Sequence, residues 1–367
     1  MNNKKIICIV GTRPEAIKLA PLILALKKEP WVNLYVLATA QHREMLDSVL
    51  HLFKIVPDTD LNIMSYDQKL PQLTADLISK LDEVFKRELP DVVIAQGDTT
   101  TVLAAALVSF EDHISFCHIE AGLRSQHIDN PFPEEMNRVI SDRLSDIHCV
   151  PTEAAKQNLL NEKINNDSIY VTGNTIIDAL NYIDNKNIPL LFSINPKKKI
   201  ILVTAHRREN FGKPLEDICK GLLLIAEKFK DVEIIYSVHP NPHVRETAYK
   251  VLDSHPSIRL CEPFDYGTFI ALMKQSYLIL SDSGGIQEEV TALGKPLLIL
   301  RENTERPEAL NTGITQLVGT DPKAILDATS QLLTDKAFYE SIAKVNCVYG
   351  DGLASKRIVE ILKEKFT

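Results

Sequence analysis

Three carboxylates occupy positions where a protein could use them for acid–base chemistry. Asp98 ends the apolar run "DVVIAQGD", Glu120 ends "ISFCHIE", and Glu134 lies in the charged stretch "NPFPEEMNRVISDR" at residues 130–143. Apolar surroundings at a strand end desolvate a carboxylate and raise its pKa toward the range that suits a general base. The three acids therefore predict proton transfer at one edge of a sheet.

The third acid also has a purely structural interpretation. Pro133 suits the first position of a helix, and Glu134 and Glu135 complement the positive helix end. Glu134 can also pair with Arg138 one turn later. Taken alone, the stretch favours a capped helix. The presence of two other acids at strand ends favours a catalytic role for Glu134 instead.

The stretch "SDSGGIQEE" predicts a phosphate site. Ser283, Gly284 and Gly285 place backbone N–H groups at a helix N-terminus, where an anion is favoured. Glu289, about one turn later, can accept both hydroxyls of a ribose. The alternative is a tight turn followed by a charged helix face. The chain contains neither GxxxxGK[ST] nor GxGxxG, so a P-loop is excluded and a dinucleotide has no support.

Cationic residues accompany these motifs. In "GTRPEAIKLAP" Arg13 can hold an anion through two hydrogen bonds, and Lys18 supplies a movable charge. In "TAHRREN" His206 stands beside Arg207 and could stabilise a departing phosphate or transfer a proton. For Arg13 and Lys18, a capped helix with solvated charges is the competing interpretation.

His239 and His243 in "HPNPH" have a spacing found in metal sites. Pro240 and Pro242 should exclude a helix from this stretch, so we predict no metal there.

Alternating hydrophobic runs and helical patterns should position all these residues. Continuous apolar strands separated by helices predict parallel sheets covered on both faces, here in two doubly wound Rossmann-like domains. The polar motifs follow the strands, so they should lie at the carboxyl edges, facing each other across a cleft. Strands are expected near 4–10, 33–39, 91–98, 114–121, 146–152, 168–173, 198–206, 232–240, 258–263, 277–283, 296–302 and 315–320.

The predicted domains divide the chain near residue 172. Residues 1–172, with a C-terminal helix at 354–367, form the domain that carries the acids, and 173–353 form the phosphate-binding domain. The 367 residues suffice for two cores. A net charge of −8 argues against a nucleic-acid binder, and no apolar stretch is long enough to cross a bilayer. Six scattered cysteines without a CxxC pair and a short N-terminal apolar run favour a reduced, cytoplasmic protein.

The motifs together resemble the non-hydrolysing UDP-N-acetylglucosamine 2-epimerases of bacteria. The resemblance runs in order from residue 6 to about 361 and adds "QHREML", "HIEAGLRS", "TGNTIIDAL", "RENTERPEA" and "YGDGLASKRI" to the stretches above. It implies a glycosyltransferase-B fold, usually a homodimer, whose C-terminal helix returns to the first domain. It also implies interconversion of UDP-GlcNAc and UDP-ManNAc without cofactor or metal, for surface polysaccharide precursors.

The resemblance assigns roles to individual residues. It implies that UDP is eliminated to leave a 2-acetamidoglucal and is then added back, with no assignment of the acids to the two sugar faces. The UDP-binding positions are Arg13, Phe269, Ser283, Gly284, Gly285, Glu289 and Arg306. The catalytic positions are Lys18, Asp98, Glu120, Glu134, Arg138 and His206.

Some members of the family also bind a second UDP-GlcNAc as an activator. Gln41, Arg207 and His239 match positions used for it. The stretch "IMSYDQKL" at 63–70 departs from the family, because Ser-Tyr-Asp stands where a basic residue is common.

Three other functions remain compatible with these residues. A hydrolysing epimerase would release free ManNAc and UDP, and a glycosyltransferase of the same fold would pass the sugar to an acceptor. A non-catalytic sensor would bind the nucleotide sugar without turnover, and the three strand-end acids speak against it.

Overall fold

The protein is described by a computed structural model that covers residues 3–39, 43–63, 68–184, 186, 188–190, 192–304 and 306–367, with residues 43–45 as backbone only. The chain forms two compact units. Unit 1 contains residues up to Tyr182 together with Tyr349–Thr367, and unit 2 is Ile183–Val348.

Unit 1 is a seven-stranded parallel sheet in the order β3-β2-β1-β4-β5-β6-β7. Its strands are β1 Lys4–Val10, β2 Val32–Ala38, β3 Thr59–Asp60, β4 Val92–Gln96, β5 Ser115–Ile119, β6 Ile147–Val150 and β7 Ile169–Val171. Its helices are α1 Arg13–Leu26, α2 Arg43–Leu52, α3 Leu70–Glu88, α4 Thr100–Glu111, α5 Glu134–Leu144, α6 Glu153–Asn161 and α7 Thr175–Asp184, whose last residues pass into unit 2.

Unit 2 is a six-stranded parallel sheet in the order β10-β9-β8-β11-β12-β13. Its strands are β8 Lys199–Thr204, β9 Val232–Ser237, β10 Ile258–Cys261, β11 Leu278–Ser281, β12 Leu297–Ile299 and β13 Thr315–Leu317. Its helices are α8 Lys213–Lys228, α9 Pro242–Leu252, α10 Tyr266–Gln275, α11 Gly284–Leu293, α12 Pro307–Asn311, α13 Pro322–Thr334 and α14 Lys336–Ile342.

The last helix, α15 Ala354–Phe366, belongs to unit 1 and packs on α1. Asp178 of α7 accepts the backbone N–H groups of Ala354 at 3.2 Å and Ser355 at 2.8 Å. A carboxylate at the start of a helix satisfies free N–H groups and complements the helix dipole. This cap fixes where α15 begins.

The strands form where continuous apolar runs predict them. Residues Ile6 to Val10 of β1 are all buried, as a strand covered on both faces requires. All twelve predicted strands are present. A strand that is followed by a polar motif ends before that motif or at its first residue. The two-residue strand β3 was not predicted, because two residues carry no detectable periodicity.

One helix begins where the sequence argued against it. α9 starts at Pro242, and the side chain of Asn241 accepts the N–H of His243 at 3.0 Å. The prediction that the prolines exclude a helix was therefore wrong for the second half of "HPNPH". Proline is tolerated at the first helical position because no intrahelical partner is available for an N–H there. In the described part of the chain no helix is both long and apolar enough to cross a membrane.

Candidate functional site

The carboxyl end of β5 carries a buried ion pair. Glu120 follows the last residue of the strand, and both its carboxylate oxygens lie 2.6 Å from the Nζ of Lys18 on α1. The amide of Gln96, which ends the adjacent β4, donates to the same carboxylate. Both ionic side chains are buried, so the predicted desolvation applies to Glu120, with a cation held against it.

The turn that presents Glu120 is strained. Glu120 has a φ of +68°, a left-handed conformation that residues other than glycine seldom adopt. Its N–H donates to the carbonyl of Cys149 in β6 at 2.9 Å, which holds the turn in place. Gly122, at φ +82°, has no room for a side chain, because a Cβ would lie 2.4 Å from the carbonyl oxygen of Ala155. Strain of this kind is concentrated at functional sites.

The carboxyl end of β4 places the second acid beside an arginine. Asp98 is half-buried, its carboxylate contacts the guanidinium of Arg138, and its carbonyl accepts the amide of Asn137 at 2.9 Å. Nη1 of Arg138 lies 3.1 Å from Oε2 of Glu135, which is an ion-pair distance, but the two atoms do not form a hydrogen bond. The structure thus pairs Arg138 with Asp98 and Glu135, whereas the sequence favoured Glu134. Glu134 is the first residue of α5 and is half-buried.

Glu15 is a functional candidate that the sequence interpretation missed. Its Oε2 accepts the N–H groups of Gly11 at 2.5 Å and Thr12 at 2.9 Å, and its Oε1 accepts the hydroxyl of Thr99 at 2.5 Å. Burial raises the pKa of Glu15 from 4.5 to about 7. The carboxylate joins the turn before Arg13 to the turn after β4. A capping box, Thr12 with Glu15 three residues later, was the available signal.

A buried imidazole joins the turn after β4 to α5. His118 Nδ1 lies 2.6 Å from Oδ1 of Asp142, and Nε2 lies 2.6 Å from the carbonyl oxygen of Gly97. Both partners accept hydrogen bonds, which requires an imidazolium with two N–H donors. Burial lowers the pKa of His118, but the charge and hydrogen bond of Asp142 outweigh it and the net direction is upward. No local motif marks this pair, whose members are 24 residues apart.

In unit 2 the predicted phosphate site lies at the start of α11. Ser283 immediately precedes the helix, and Gly284 and Gly285 form its first turn. A Cβ at Gly285 would meet no atom within 4 Å, so open space lies in front of this turn. Backbone N–H groups at such an end favour an anion.

Of the other residues assigned to the nucleotide, Arg13 is the first residue of α1 in unit 1, and three lie in unit 2 on α11, on α10 and just before α12. Glu289 of α11 is buried and accepts the hydroxyl of Tyr266 at 2.8 Å. Phe269 lies half-buried one turn later on α10. Arg306, just before α12, is buried with its Nε 2.7 Å from Oε1 of Glu288, so its charge is already paired within the unit.

His206 follows β8 and is only partly exposed. Its ring stacks on that of His239, which follows the adjacent β9, with centroids 5.2 Å apart and planes 11° from parallel. Asp282, after β11, accepts the backbone N–H groups of His206 and Arg207 at 2.8 Å each. The sequence interpretation passed over Asp282, although a carboxylate directly after an apolar strand was visible in "LILSDSGG".

The predicted activator residues are Gln41, Arg207 and His239. Gln41 lies outside the described residues. Arg207 and His239 both follow strands of unit 2 at the edge that carries Ser283. Within the described residues no group of three or more His, Cys, Asp or Glu side chains is arranged to hold a metal ion.

These features define a class: an α/β protein of two doubly wound parallel sheets, with polar residues at the carboxyl ends of the strands. A family model described as UDP-N-acetylglucosamine 2-epimerase matches residues 24–363. The chain belongs to this family, which confirms the resemblance drawn from its motifs.

Comparison with individual proteins supports the same family. A Bacillus subtilis protein named UDP-N-acetylglucosamine 2-epimerase is 48% identical over 364 residues, which are 99% of this chain and 96% of that protein. The crystal structure of the Neisseria meningitidis UDP-GlcNAc 2-epimerase bound to UDP-GlcNAc matches with a TM-score of 0.94 and 45% identity, over 98% of this chain and 100% of that one.

A glycotransferase of kitacinnamycin matches over 100% of both chains with a TM-score of 0.68 and 10% identity. At that identity the likeness shows the fold alone. The predicted glycosyltransferase-type α/β fold is confirmed.

Proposed function

We propose that this chain is an isomerase that interconverts UDP-GlcNAc and UDP-ManNAc by inverting carbon 2. The observation that carries the proposal is the acid cluster of unit 1, in which a strained turn presents Glu120 against Lys18. Glycosyltransferases share the fold, but transfer of a sugar to an acceptor does not require acids that exchange a proton at C2. Full-length similarity to named epimerases supports the same conclusion.

UDP is proposed to bind through the residues that the motifs assign to it. The N–H groups of Ser283–Gly285 and the guanidinium of Arg13 hold the diphosphate, and Glu289 accepts the ribose hydroxyls. Tyr266 donates to Glu289 at 2.8 Å and thereby fixes the orientation of that carboxylate. Phe269 and Arg306 complete the proposed UDP set.

The proposed chemistry is elimination followed by re-addition. One carboxylate removes the proton from C2, the C1–C2 double bond forms, and UDP leaves from C1 with the bonding electron pair. An acid then returns a proton to the opposite face of C2 while a phosphate oxygen of UDP attacks C1. Asp98, Glu120 and Glu134 are the candidates for these two roles.

The cations of the proposed site serve the same reaction. Lys18 lies against Glu120, and Arg138 lies against Asp98, so each cation holds one of the proposed catalytic carboxylates in place. His206 and the start of α11 stabilise the negative charge that develops on the departing diphosphate.

Incubation with UDP-GlcNAc in D2O, followed by NMR, tests the proposal. The expected products are UDP-ManNAc and recovered UDP-GlcNAc, both carrying deuterium at C2, with little free sugar. Release of free ManNAc and UDP would identify a hydrolysing epimerase instead. Binding of UDP-GlcNAc without deuterium exchange would identify a sensor, and turnover only with an acceptor would identify a glycosyltransferase.

We also propose that the protein is a cytoplasmic homodimer. Family resemblance supports the dimer. Free cysteines and a nucleotide-sugar substrate support the cytoplasm. Sedimentation equilibrium should give twice the 41.2 kDa chain mass; a monomer at micromolar concentration would contradict the dimer.

The proposed activator role of Gln41, Arg207 and His239 has its own test. If it is correct, traces of UDP-GlcNAc should accelerate the conversion of UDP-ManNAc, and Arg207→Ala should abolish the acceleration. An initial rate that does not respond to added UDP-GlcNAc would contradict activation.

A further inference from the structure

Two of the proposed catalytic acids are carried by neighbouring turns of unit 1. Asp98 follows β4 and Glu120 follows β5, and these strands pair in parallel with Gln96 opposite Ile119 at the end of the ladder. Both turns contain a residue in the left-handed conformation, Gly97 at φ +85° and Glu120 at φ +68°. The position of each acid therefore depends on what holds its turn beyond the end of the ladder.

His118 and Asp142 form a hydrogen-bonded connection between the two turns. Nε2 of His118 lies 2.6 Å from the carbonyl oxygen of Gly97, and Nδ1 lies 2.6 Å from Oδ1 of Asp142. The other oxygen of Asp142, Oδ2, accepts the backbone N–H of Gly122 at 3.1 Å. The connection runs from the turn after β4, through the ring and the carboxylate, to the turn after β5.

The connection is a buried ion pair. Both side chains have no solvent exposure, and each ring nitrogen of His118 faces an acceptor, so the ring carries two hydrogens and a positive charge. Burial opposes the charged forms, but the mutual attraction of the two groups outweighs it, raising the pKa of His118 and lowering that of Asp142. The guanidinium of Arg124 also lies 2.8 Å from Oδ2 of Asp142. A buried polar network whose members are all paired is rigid.

The helix that carries Asp142 also holds Asp98 directly. Arg138, four residues before Asp142 and so on the same face of α5, contacts the carboxylate of Asp98. Asn137 of the same helix donates to the backbone carbonyl of Asp98 at 2.9 Å. Through Asp142 the helix extends this support to the turn after β5.

We propose that His118 and Asp142 are positioning residues that hold the turns of Asp98 and Glu120 in the arrangement required for proton transfer at C2. The inference rests on the function proposed above. Elimination and re-addition need acids that are fixed relative to the two faces of C2, and a displacement of about 1 Å can lower a rate about 100-fold. The two ring hydrogens of His118 stay on the ring throughout, because this residue exchanges no proton with the sugar.

His118→Gln separates positioning from general stability. A glutamine amide has its donors at one end and cannot bridge acceptors on two sides of an imidazole. We expect kcat to fall about 100-fold with KM changed less than about threefold, and deuterium incorporation at C2 to fall by the same factor as kcat.

His148→Gln is the matched control. His148 lies directly opposite His118 on β6 and is also buried, but its ring contacts the carbonyl oxygens of Asp142 at 2.7 Å and Ser168 at 3.3 Å rather than either turn. Its kcat should stay within about threefold of wild type. Equal losses of kcat in the two variants would overturn the proposal.

Two substitutions of Asp142 test whether the connection itself is needed. In Asp142→Asn the side-chain oxygen can still accept the N–H of Gly122, and the amide can donate to Nδ1 of a neutral His118, so the turns stay joined. In Asp142→Ala they are not joined. We expect kcat to fall about 100-fold in Asp142→Ala and less than about tenfold in Asp142→Asn. Equal losses in both would contradict a positioning role.

NMR of 15N-labelled histidine tests the ion pair in the wild-type protein without any turnover. The resonances of His118, assigned by their absence in His118→Gln, should show both ring nitrogens protonated at pH 7.5, where a histidine of ordinary pKa is only about a tenth charged. In Asp142→Asn the ring should become neutral with its hydrogen on Nε2. A neutral ring in the wild type would overturn the proposal even if every variant failed to fold.

Failure of this inference is distinguishable from failure of the proposed function. Absence of epimerisation by the wild type would refute the proposed function and this inference with it. Epimerisation by the wild type, with an unchanged kcat in His118→Gln, would refute this inference alone.

Discussion

At the scale of single residues, Glu15 shows how an acid can be both structural and sensitive to pH. The folded protein surrounds its carboxyl group with donors, but burial dominates and raises its pKa to about 7. Asp98, whose negative charge adds to this upward shift, is one of the acids proposed for catalysis. Ionisation of Glu15 is therefore coupled to the charge of the site.

Glu15→Gln should remove a pH-dependent loss of stability. Because the folded pKa of Glu15 lies above its ordinary 4.5, the stability from the protonated form is complete below pH 4.5 and is lost as pH rises through about 7. A glutamine can accept the two backbone N–H groups and donate to Thr99. The variant should thus gain up to roughly 3 kcal/mol relative to wild type between pH 4.5 and 8. Urea unfolding across this range measures the difference; a constant difference would contradict the assignment.

Glu134→Gln should separate capping from catalysis. We expect UDP affinity within about twofold of wild type, a stability loss below about 1 kcal/mol, and kcat lowered by at least about 100-fold. Glu153→Gln is the matched control, because Glu153 is the first residue of α6, as Glu134 is of α5, and its side chain is exposed. Full activity of Glu134→Gln would contradict a catalytic role and leave capping as the role of this residue.

At the scale of elements, the turn after β5 determines where Glu120 can be. Glu120 at φ +68° and Gly122 at φ +82° reverse the chain within three residues, and their backbone lies against β6 and α6. A left-handed turn without space for a side chain can be formed at position 122 by glycine alone. The turn therefore fixes the position of Glu120, the proposed catalytic acid.

Gly122→Ala should destabilise unit 1 far more than Gly97→Ala. Both glycines have positive φ, +82° and +85°, but a Cβ at 122 would lie 2.4 Å from a backbone oxygen, whereas a Cβ at 97 would meet nothing within 4 Å. Gly97→Ala should cost about 1 kcal/mol for its backbone conformation, and Gly122→Ala at least about 3 kcal/mol. Thermal unfolding followed by circular dichroism measures the stability of both variants. Equal losses of stability would show that the contact of the new Cβ at 122 with the backbone oxygen is relieved without cost.

At the scale of the whole molecule, each unit has a core of its own. Buried residues of β1, β4 and α4 form one cluster in unit 1, and residues of β8, β9 and α8 form another in unit 2. Separate cores allow separate unfolding transitions. A ligand held by α11 should therefore act first on unit 2.

UDP should raise the unfolding temperature of unit 2. At a UDP concentration about 100 times Kd, the stabilisation is about 2.7 kcal/mol, measurable by calorimetry. Gly285→Ala should fold normally, because its Cβ enters open space, but should lose most of the UDP-induced shift as that space is the proposed anion position. An unchanged shift in Gly285→Ala would place the diphosphate elsewhere.

The fold class followed from the sequence because its signals are local. Apolar runs of β length, helical periodicity and polar motifs after the strands predicted twelve strands and the carboxyl edge of each sheet, where Asp98 and Glu120 lie in unit 1 and His206 and Ser283 lie in unit 2. Those features depend on neighbouring residues alone, so one chain suffices to recognise them.

Only the tertiary structure decided which side chains meet. Arg138 contacts Asp98 because α5 packs on α4, which begins just after Asp98, and Asp282 approaches His206 because β11 is hydrogen-bonded to β8. These partners are 40 and 76 residues apart, and no local pattern encodes such a separation. The order of strands in a parallel sheet is set by the packing of whole elements, and it is this order that brings the charged groups together.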